Sequence, residues 1–250
     1  MSKSLWQKVS ATIKQDGFRG VWKKLLLRYQ SLGILLYIPA YFQLPKEVEK
    51  KHTIDSAVRF SFDGLGGLIA PVQAKWELEK LANVARELQP RVVVEIGTAR
   101  GGTLFVFSRL ARSDATIVSI DLPGGNFGEG YPRWKEGIYK KFASRAQSIH
   151  LLRADSHSRE TVDVLEKILV GRKIDFLFID GDHTYEGVAK DYANYAPLVR
   201  KGGSIGFHDI RSPDPAYGVP RLWNELKQKF PHKEFLEPGG FNMGIGVLFM

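Results

Sequence analysis

Two short motifs hold most of the groups in this chain that could move a proton or hold a cation: Asp180-Gly-Asp-His183 and His208-Asp209. An unperturbed histidine titrates near neutrality, which suits His183 to act as general base on a hydroxyl, with Asp180 and Asp209 as its catalytic neighbours. Asp180 and Asp209, with His208 or Asp182 close by, also make a donor set for Mg2+ or a similar divalent ion, which would orient a hydroxyl and lower its pKa. The histidine in the second motif favours a softer ion over Mg2+. The alternative is that the two carboxylates only organise their loops and hydrogen-bond His183 and His208.

Each motif follows an apolar run, and those runs must position it. Val92–Ile96, Ala115–Ile120, Ile149–Arg153, Ile174–Ile179 and Gly203–Phe207 read as strands, with Lys233–Leu236 and Gly244–Met250 as closing strands. Helical periodicity fills the gaps: Lys75–Leu88 stopped by Pro90, a helix from Leu104, one capped by Ser158, one through Tyr185 and Tyr192, and one from Val219 to Phe230. Strand–helix alternation predicts an α/β fold with a doubly wound, mainly parallel, seven-stranded sheet, whose ligands sit at the carboxyl ends of the strands. Acids stand at or near the ends of the first five strands: Glu95, Asp121, Asp155, Asp180 and Asp209. Five in sequence point to a ligand with several hydroxyl and amine donors, plus a cation.

The turn after the first strand is glycine-rich: Glu95-Ile-Gly97-Thr-Ala-Arg-Gly101-Gly102. Glycines there let the backbone turn sharply and approach a ligand that a Cβ would exclude, with helix N–H groups facing it. Gly97, Ala99 and Gly102 can be placed on the dinucleotide fingerprint; Glu95, Gly97 and Gly101 fit the acid-x-Gly-x-x-x-Gly pattern of S-adenosylmethionine-dependent methyltransferases. Tyr131-x-x-x-Lys135 has dehydrogenase spacing, but Pro132 and the flanking glycines argue against a helix there. The long aromatic loop Leu122–Arg133 reads either as a substrate cover or as plain surface.

From about Pro71 to its end the chain resembles the class I S-adenosylmethionine-dependent methyltransferases. It is most similar to the bacterial small-molecule branch containing cephalosporin-hydroxylase-like and macrocin O-methyltransferase-like proteins. The carrying motifs are Val94–Thr103, Ile120-Asp121, Phe178-Ile-Asp-Gly-Asp-His-Thr-Tyr-Glu186 and Pro197–Asp209. The resemblance implies the Rossmann-like methyltransferase fold, S-adenosylmethionine as cofactor and methyl transfer to a hydroxyl of a small molecule, sugar or glycan. It implies cofactor contacts from Glu95, Gly97, Thr98, Gly101, Gly102, Asp121, Asp155, Ser156 and Asp180: Glu95 on the loop and amino group, Asp121 on the ribose hydroxyls, and Asp155 with Ser156 at the adenine edge. It implies a metal, if one is used, on Asp180, Asp209 and His208. Two other classes stay open: a metal-dependent hydroxylase-like enzyme on the same fold, and a non-catalytic cofactor-binding accessory protein.

Composition narrows the partners. The chain has 250 residues, 44% of them hydrophobic, and no cysteine, which excludes disulfides, zinc–thiolate sites and a thiol nucleophile. Residues 1–52 carry ten Lys/Arg against three acids, so they hold +7 of the formal +9 and leave the rest nearly neutral. That balance argues against a nucleic-acid substrate, whose site would concentrate positive charge. Residues 1–60 are expected to form a basic amphipathic helical extension to a domain over 61–250. Within it, residues 18–42 mix basic and apolar side chains, and the apolar part is too short to span a bilayer. The segment either caps the body or a second subunit, giving a homo-oligomer, or lies on an anionic membrane as a peripheral contact. Met1 to Lys8 lack the apolar core of a secretion signal, so the expected location is the cytoplasm or the inner face of the membrane.

Overall fold

The computed structural model describes residues 37–124, 130–237 and 243–250. Residues 18–36 of the basic segment and residues 125–129 of the aromatic loop lie outside the described residues. Five strands are parallel: β1 (Val92–Ile96), β2 (Thr116–Ile120), β3 (Ser148–Leu152), β4 (Ile174–Ile179) and β5 (Val199–His208). β6 (His232–Phe235) and β7 (Ile245–Phe249) close one edge, with β7 antiparallel to both β5 and β6. The order β3-β2-β1-β4-β5-β7-β6 reverses direction between β1 and β4, which opens a crevice at their carboxyl ends.

The central strands are mostly apolar because both faces of the sheet are covered. Side chains alternate along each strand and feed two cores. Val93, Ile117, Phe176 and Phe178 pack beneath α3 (Lys75–Leu88) and α4 (Gly102–Leu110). Val92, Val94, Ile96, Leu177, Ile179 and Phe207 pack beneath α6 (Arg159–Leu169), α7 (Tyr185–Tyr195) and α8 (Val219–Leu226). Each fully buried phenylalanine contributes about 1.5–3 kcal/mol by leaving water. Ser158 caps α6 as expected, its hydroxyl accepting the Thr161 amide at 3.2 Å.

Two helices precede this body. α1 (Tyr37–Val48) and α2 (Ile54–Asp63) pack onto the first core through Ala40, Leu44 and Val58. Residue 60, the expected boundary, falls inside α2. Arg109 on α4 ties the C-terminus of α1 by donating to the Val48 carbonyl at 2.6 Å. Pro39 and Pro45 both lie within α1 without stopping it.

The expected strands differ from the structure at their polar ends. β5 starts at Val199 rather than Gly203, through an exposed Lys201-Gly202 entry that apolar periodicity does not register. The stretch after Pro132, read as non-helical, forms a 3-10 turn (Arg133–Lys135) running into α5 (Glu136–Lys140). Pro132 precedes the first turn and so costs it no hydrogen bond.

Candidate functional site

The glycine turn leaves β1 at Gly97, whose φ is 85° and whose amide donates to the Ile120 carbonyl at 2.9 Å. A Cβ on Gly97 would overlap the Asp180 carbonyl; one on Gly101 would lie 2.5 Å from the Tyr139 ring; one on Gly102 would meet Ile69 and Pro71. These glycines are therefore required by the protein's own packing. Ala99 adopts the left-handed conformation (φ 44°) where a glycine would be unstrained. Glu95 is fully buried beneath the turn, and burial pushes its carboxyl up to about 8. Its Oε2 accepts the Thr98 hydroxyl at 2.8 Å, so this acid anchors the loop from below.

Asp121, at the end of β2, grips the same loop from the side. Its Oδ2 accepts the amides of Thr98 (3.0 Å) and Ala99 (2.6 Å). Burial raises its pKa to about 6 against the pull of those two amides. Among the described residues no hydrogen bond reaches Oδ1. A buried carboxylate with one oxygen fixed and the other open fits a ligand diol at the β1–β2 end of the crevice. Lys135 and Tyr139 are buried around it, and Tyr139 donates to the Ala99 carbonyl at 3.0 Å. Desolvation lowers the Lys135 ammonium to about 7. Asp155 stands apart from this group. It is exposed, and its Oδ1 accepts the His157 amide at 2.8 Å in a local turn. The neighbouring Ser156 carbonyl accepts the Tyr195 hydroxyl at 2.8 Å.

At the ends of β4 and β5 the two chemistry-bearing motifs meet. His183 Nδ1 lies 2.9 Å from Asp209 Oδ2, and His208 Nδ1 lies 3.1 Å from both Asp180 Oδ1 and Asp209 Oδ1. Gln73 donates its amide to Asp180 Oδ2. Burial opposes charge on His183, but Asp209 and Asp180 outweigh it and raise its pKa. The same contest in His208, against Asp180 and Asp209, ends with the imidazole at about 10. The hydrogen bonds to both histidines hold Asp209 well below the usual carboxylate range despite its burial. Asp209 is itself left-handed (φ 60°), a strained conformation that clusters at functional sites.

The converging trio differs from the expected one. Ligand atoms of Asp180, His183 and Asp209 all lie within 4.8 Å of one another, so His183 takes the place expected of His208. The His208 Nδ1 is committed to the two carboxylates. Asp182 also turns away, accepting the amide and hydroxyl of Thr184 at 2.8 Å each. Both carboxylates are thus already engaged by protein donors, with further lone pairs left on their oxygens.

Three residues of this centre escaped the sequence reading. Gln73 is one. Tyr217 stacks on His183 with centroids 4.7 Å apart and planes 9° from parallel. Glu77 is fully buried, its Oε1 accepting the Gly244 amide at 3.0 Å and its Oε2 4.0 Å from His208 Nε2. Glu77 had a signal: it lies four residues before Leu81 on the apolar stripe of α3, where a charge is out of place.

Comparison with known proteins agrees with this geometry. Residues 94–210 match a family model described as a methyltransferase domain. An uncharacterized protein of Sinorhizobium fredii is 28% identical over 165 residues, covering 65% of this chain and 17% of that protein. An uncharacterized protein of Acanthamoeba polyphaga mimivirus is 33% identical over 134 residues, covering 54% of this chain and 58% of that protein. The chain thus spans less than two thirds of either relative's own length. Among solved structures, the Streptomyces achromogenes O-methyltransferase of tomaymycin synthesis, in complex with S-adenosylmethionine, superposes with a TM-score of 0.52 at 17% identity, over 80% of this chain and 91% of that one. A TDP-rhamnose 3'-O-methyltransferase of calicheamicin biosynthesis gives 0.54 at 17% identity, over 85% and 93%. At such identities these two likenesses are of fold.

Proposed function

We propose, from the match of residues 94–210 to a methyltransferase-domain model, that this chain is an S-adenosylmethionine-dependent O-methyltransferase acting on a hydroxyl of a small molecule or sugar. When bound, S-adenosylmethionine supplies an electrophilic methyl group; the chain's residues must hold it and ready the acceptor. Asp121 Oδ1, open and buried, accepts the ribose hydroxyls. The turn from Gly97 to Gly102, locked by Glu95 below and Tyr139 above, fixes the crevice wall.

The observation that carries the reading is the His183–Asp209 pair at the adjoining strand ends. With Nδ1–H donated to Asp209, the His183 ring presents the lone pair of Nε2. That nitrogen takes the proton from the acceptor hydroxyl, while Asp209 keeps the ring oriented and steadies the imidazolium that forms. Tyr217 holds the ring plane from one side. His208, bonded to both Asp180 and Asp209, keeps the two strand ends in register. A metal-assisted form of the same reaction would put a divalent ion on Asp180, His183 and Asp209, supported by their 4.8 Å convergence.

The test is calorimetric titration with S-adenosylmethionine, wild type against Asp121→Ala, followed by mass spectrometry of a hydroxylated acceptor panel. Binding lost in the variant and a product heavier by one methyl support the reading. No binding to wild type overturns it, and a gain of one oxygen would move the chain to hydroxylase-like chemistry.

A further inference from the structure

We propose that α1 is a docking face for the surface of an anionic phospholipid bilayer. The helix has two apolar stripes. One, Ala40, Leu44 and Val48, is buried against the body. The other, Ile38, Phe42 and Pro45, follows the spacing i, i+4, i+7 and points to solvent; Ile38 is 67% and Phe42 71% exposed. A helix that is apolar on two sides has use for two partners. Among the described residues, the body supplies only the first.

The chemistry around the second stripe selects its partner. Lys46 and Lys51 stand at or just past the C-terminal end of α1, where Lys50 pairs with Glu47, and Lys140 and Lys141 sit on or beside α5, which packs against it. Lys141 Nζ lies 3.8 Å from the centre of the Tyr41 ring, so aromatic and cationic groups share this face. A second copy docked here would bring like charge against like charge, a juxtaposition that costs affinity. Anionic headgroups would pair with the lysines while Ile38 and Phe42 enter the acyl boundary, to a depth of about 5–10 Å. No described helix is long and apolar enough to cross a membrane, which fits a helix that lies on the surface. This inference stands apart from the methyl-transfer reading, since vesicle binding needs no turnover.

The experiment is flotation of the full chain with vesicles of phosphatidylcholine alone and with about 30% phosphatidylglycerol, at near-physiological salt. The expected result is flotation only with the anionic vesicles, reduced about ten-fold or more in Ile38→Ser/Phe42→Ser, and weakened likewise in Lys46→Glu/Lys51→Glu. Both variants change exposed side chains, and an unchanged thermal midpoint confirms their fold. Absence of flotation, equal flotation on neutral vesicles, or full flotation of the Ile38/Phe42 variant would overturn the proposal. So would a dimer, detected by light scattering, that the same variant abolishes.

Discussion

The His183 imidazole and the Asp209 carboxylate, 26 residues of chain apart in two motifs that follow adjacent parallel strands, meet at 2.9 Å. Asp209 reaches that position only by adopting a left-handed backbone, which an aspartate tolerates better than most residues. The strain and the pairing belong together: a strand continuing regularly past His208 would carry the carboxylate out of the crevice.

Replacing either member tests the assigned roles. His183→Gln removes the base and is expected to lower kcat by about 10²–10⁴-fold, with little change in cofactor affinity. Asp209→Asn keeps a residue that accepts the left-handed conformation but loses the charge that orients His183, so a fall of similar order is expected. Steady-state kinetics with calorimetric cofactor binding separate the two quantities. Loss of cofactor binding in both variants would show that the pair builds the crevice instead of acting on the acceptor.

The glycine turn makes a stability prediction of opposite signs. Gly97→Ala would drive a Cβ into the Asp180 carbonyl at φ 85°, and it is expected to cost more than about 3 kcal/mol. Ala99→Gly, two residues on, relieves a left-handed alanine and is expected to gain about 1 kcal/mol, or roughly 2–4 °C in Tm. Thermal melts of the two variants beside wild type give the answer. A destabilised Ala99→Gly would mean that the alanine methyl has a packing role that outweighs its strain.

The extent to which the sequence disclosed this arrangement follows the range of each interaction. β1 and β4, covered on both faces, are dominated by Val, Ile, Leu and Phe, and the apolar runs locate their ends. Asp180, His183, His208 and Asp209 were legible as a group because the strand order makes β4 and β5 neighbours. What periodicity could not supply was the partner of each polar atom. Gln73, Glu77 and Tyr217 enter the centre from α3, the segment before it and the loop after β5, and no local pattern ties them to Asp180 or His183. Glu95 and Asp155 looked alike as strand-end acids; one is sealed beneath the turn and the other is exposed with one oxygen in its own turn, a difference set by tertiary burial.

Chelation bears on the centre directly. Both oxygens of Asp180 and of Asp209 already accept protein hydrogen bonds, and His208 bridges the two residues. With His183 acting as the base, dialysis against EDTA is expected to leave the methyl-transfer rate within about two-fold of the starting value, a difference too small to represent a lost Lewis acid. Elemental analysis of the protein before and after dialysis completes the measurement. A rate abolished by chelation and restored by Mg2+ or Mn2+ would move His183 from base to ligand.

Glu95 gives the fold a pH dependence with a definite sign. Burial raises its carboxyl in the folded chain to about 8, against 4.5 for the free group. The folded state therefore binds this proton more tightly than the unfolded state. The stability it contributes is complete below the unfolded pKa and is lost as pH rises toward the folded one. Wild type should lose a few kcal/mol from this group between about pH 5 and about pH 8, since each pK unit corresponds to about 1.4 kcal/mol. Glu95→Gln is neutral throughout and can still accept the Thr98 hydroxyl, so this part of the slope should vanish. Urea midpoints of the two proteins at both pH values measure the difference. Parallel pH profiles would show that Glu95 is charged in the folded chain, and that the loop above it rests on a buried carboxylate.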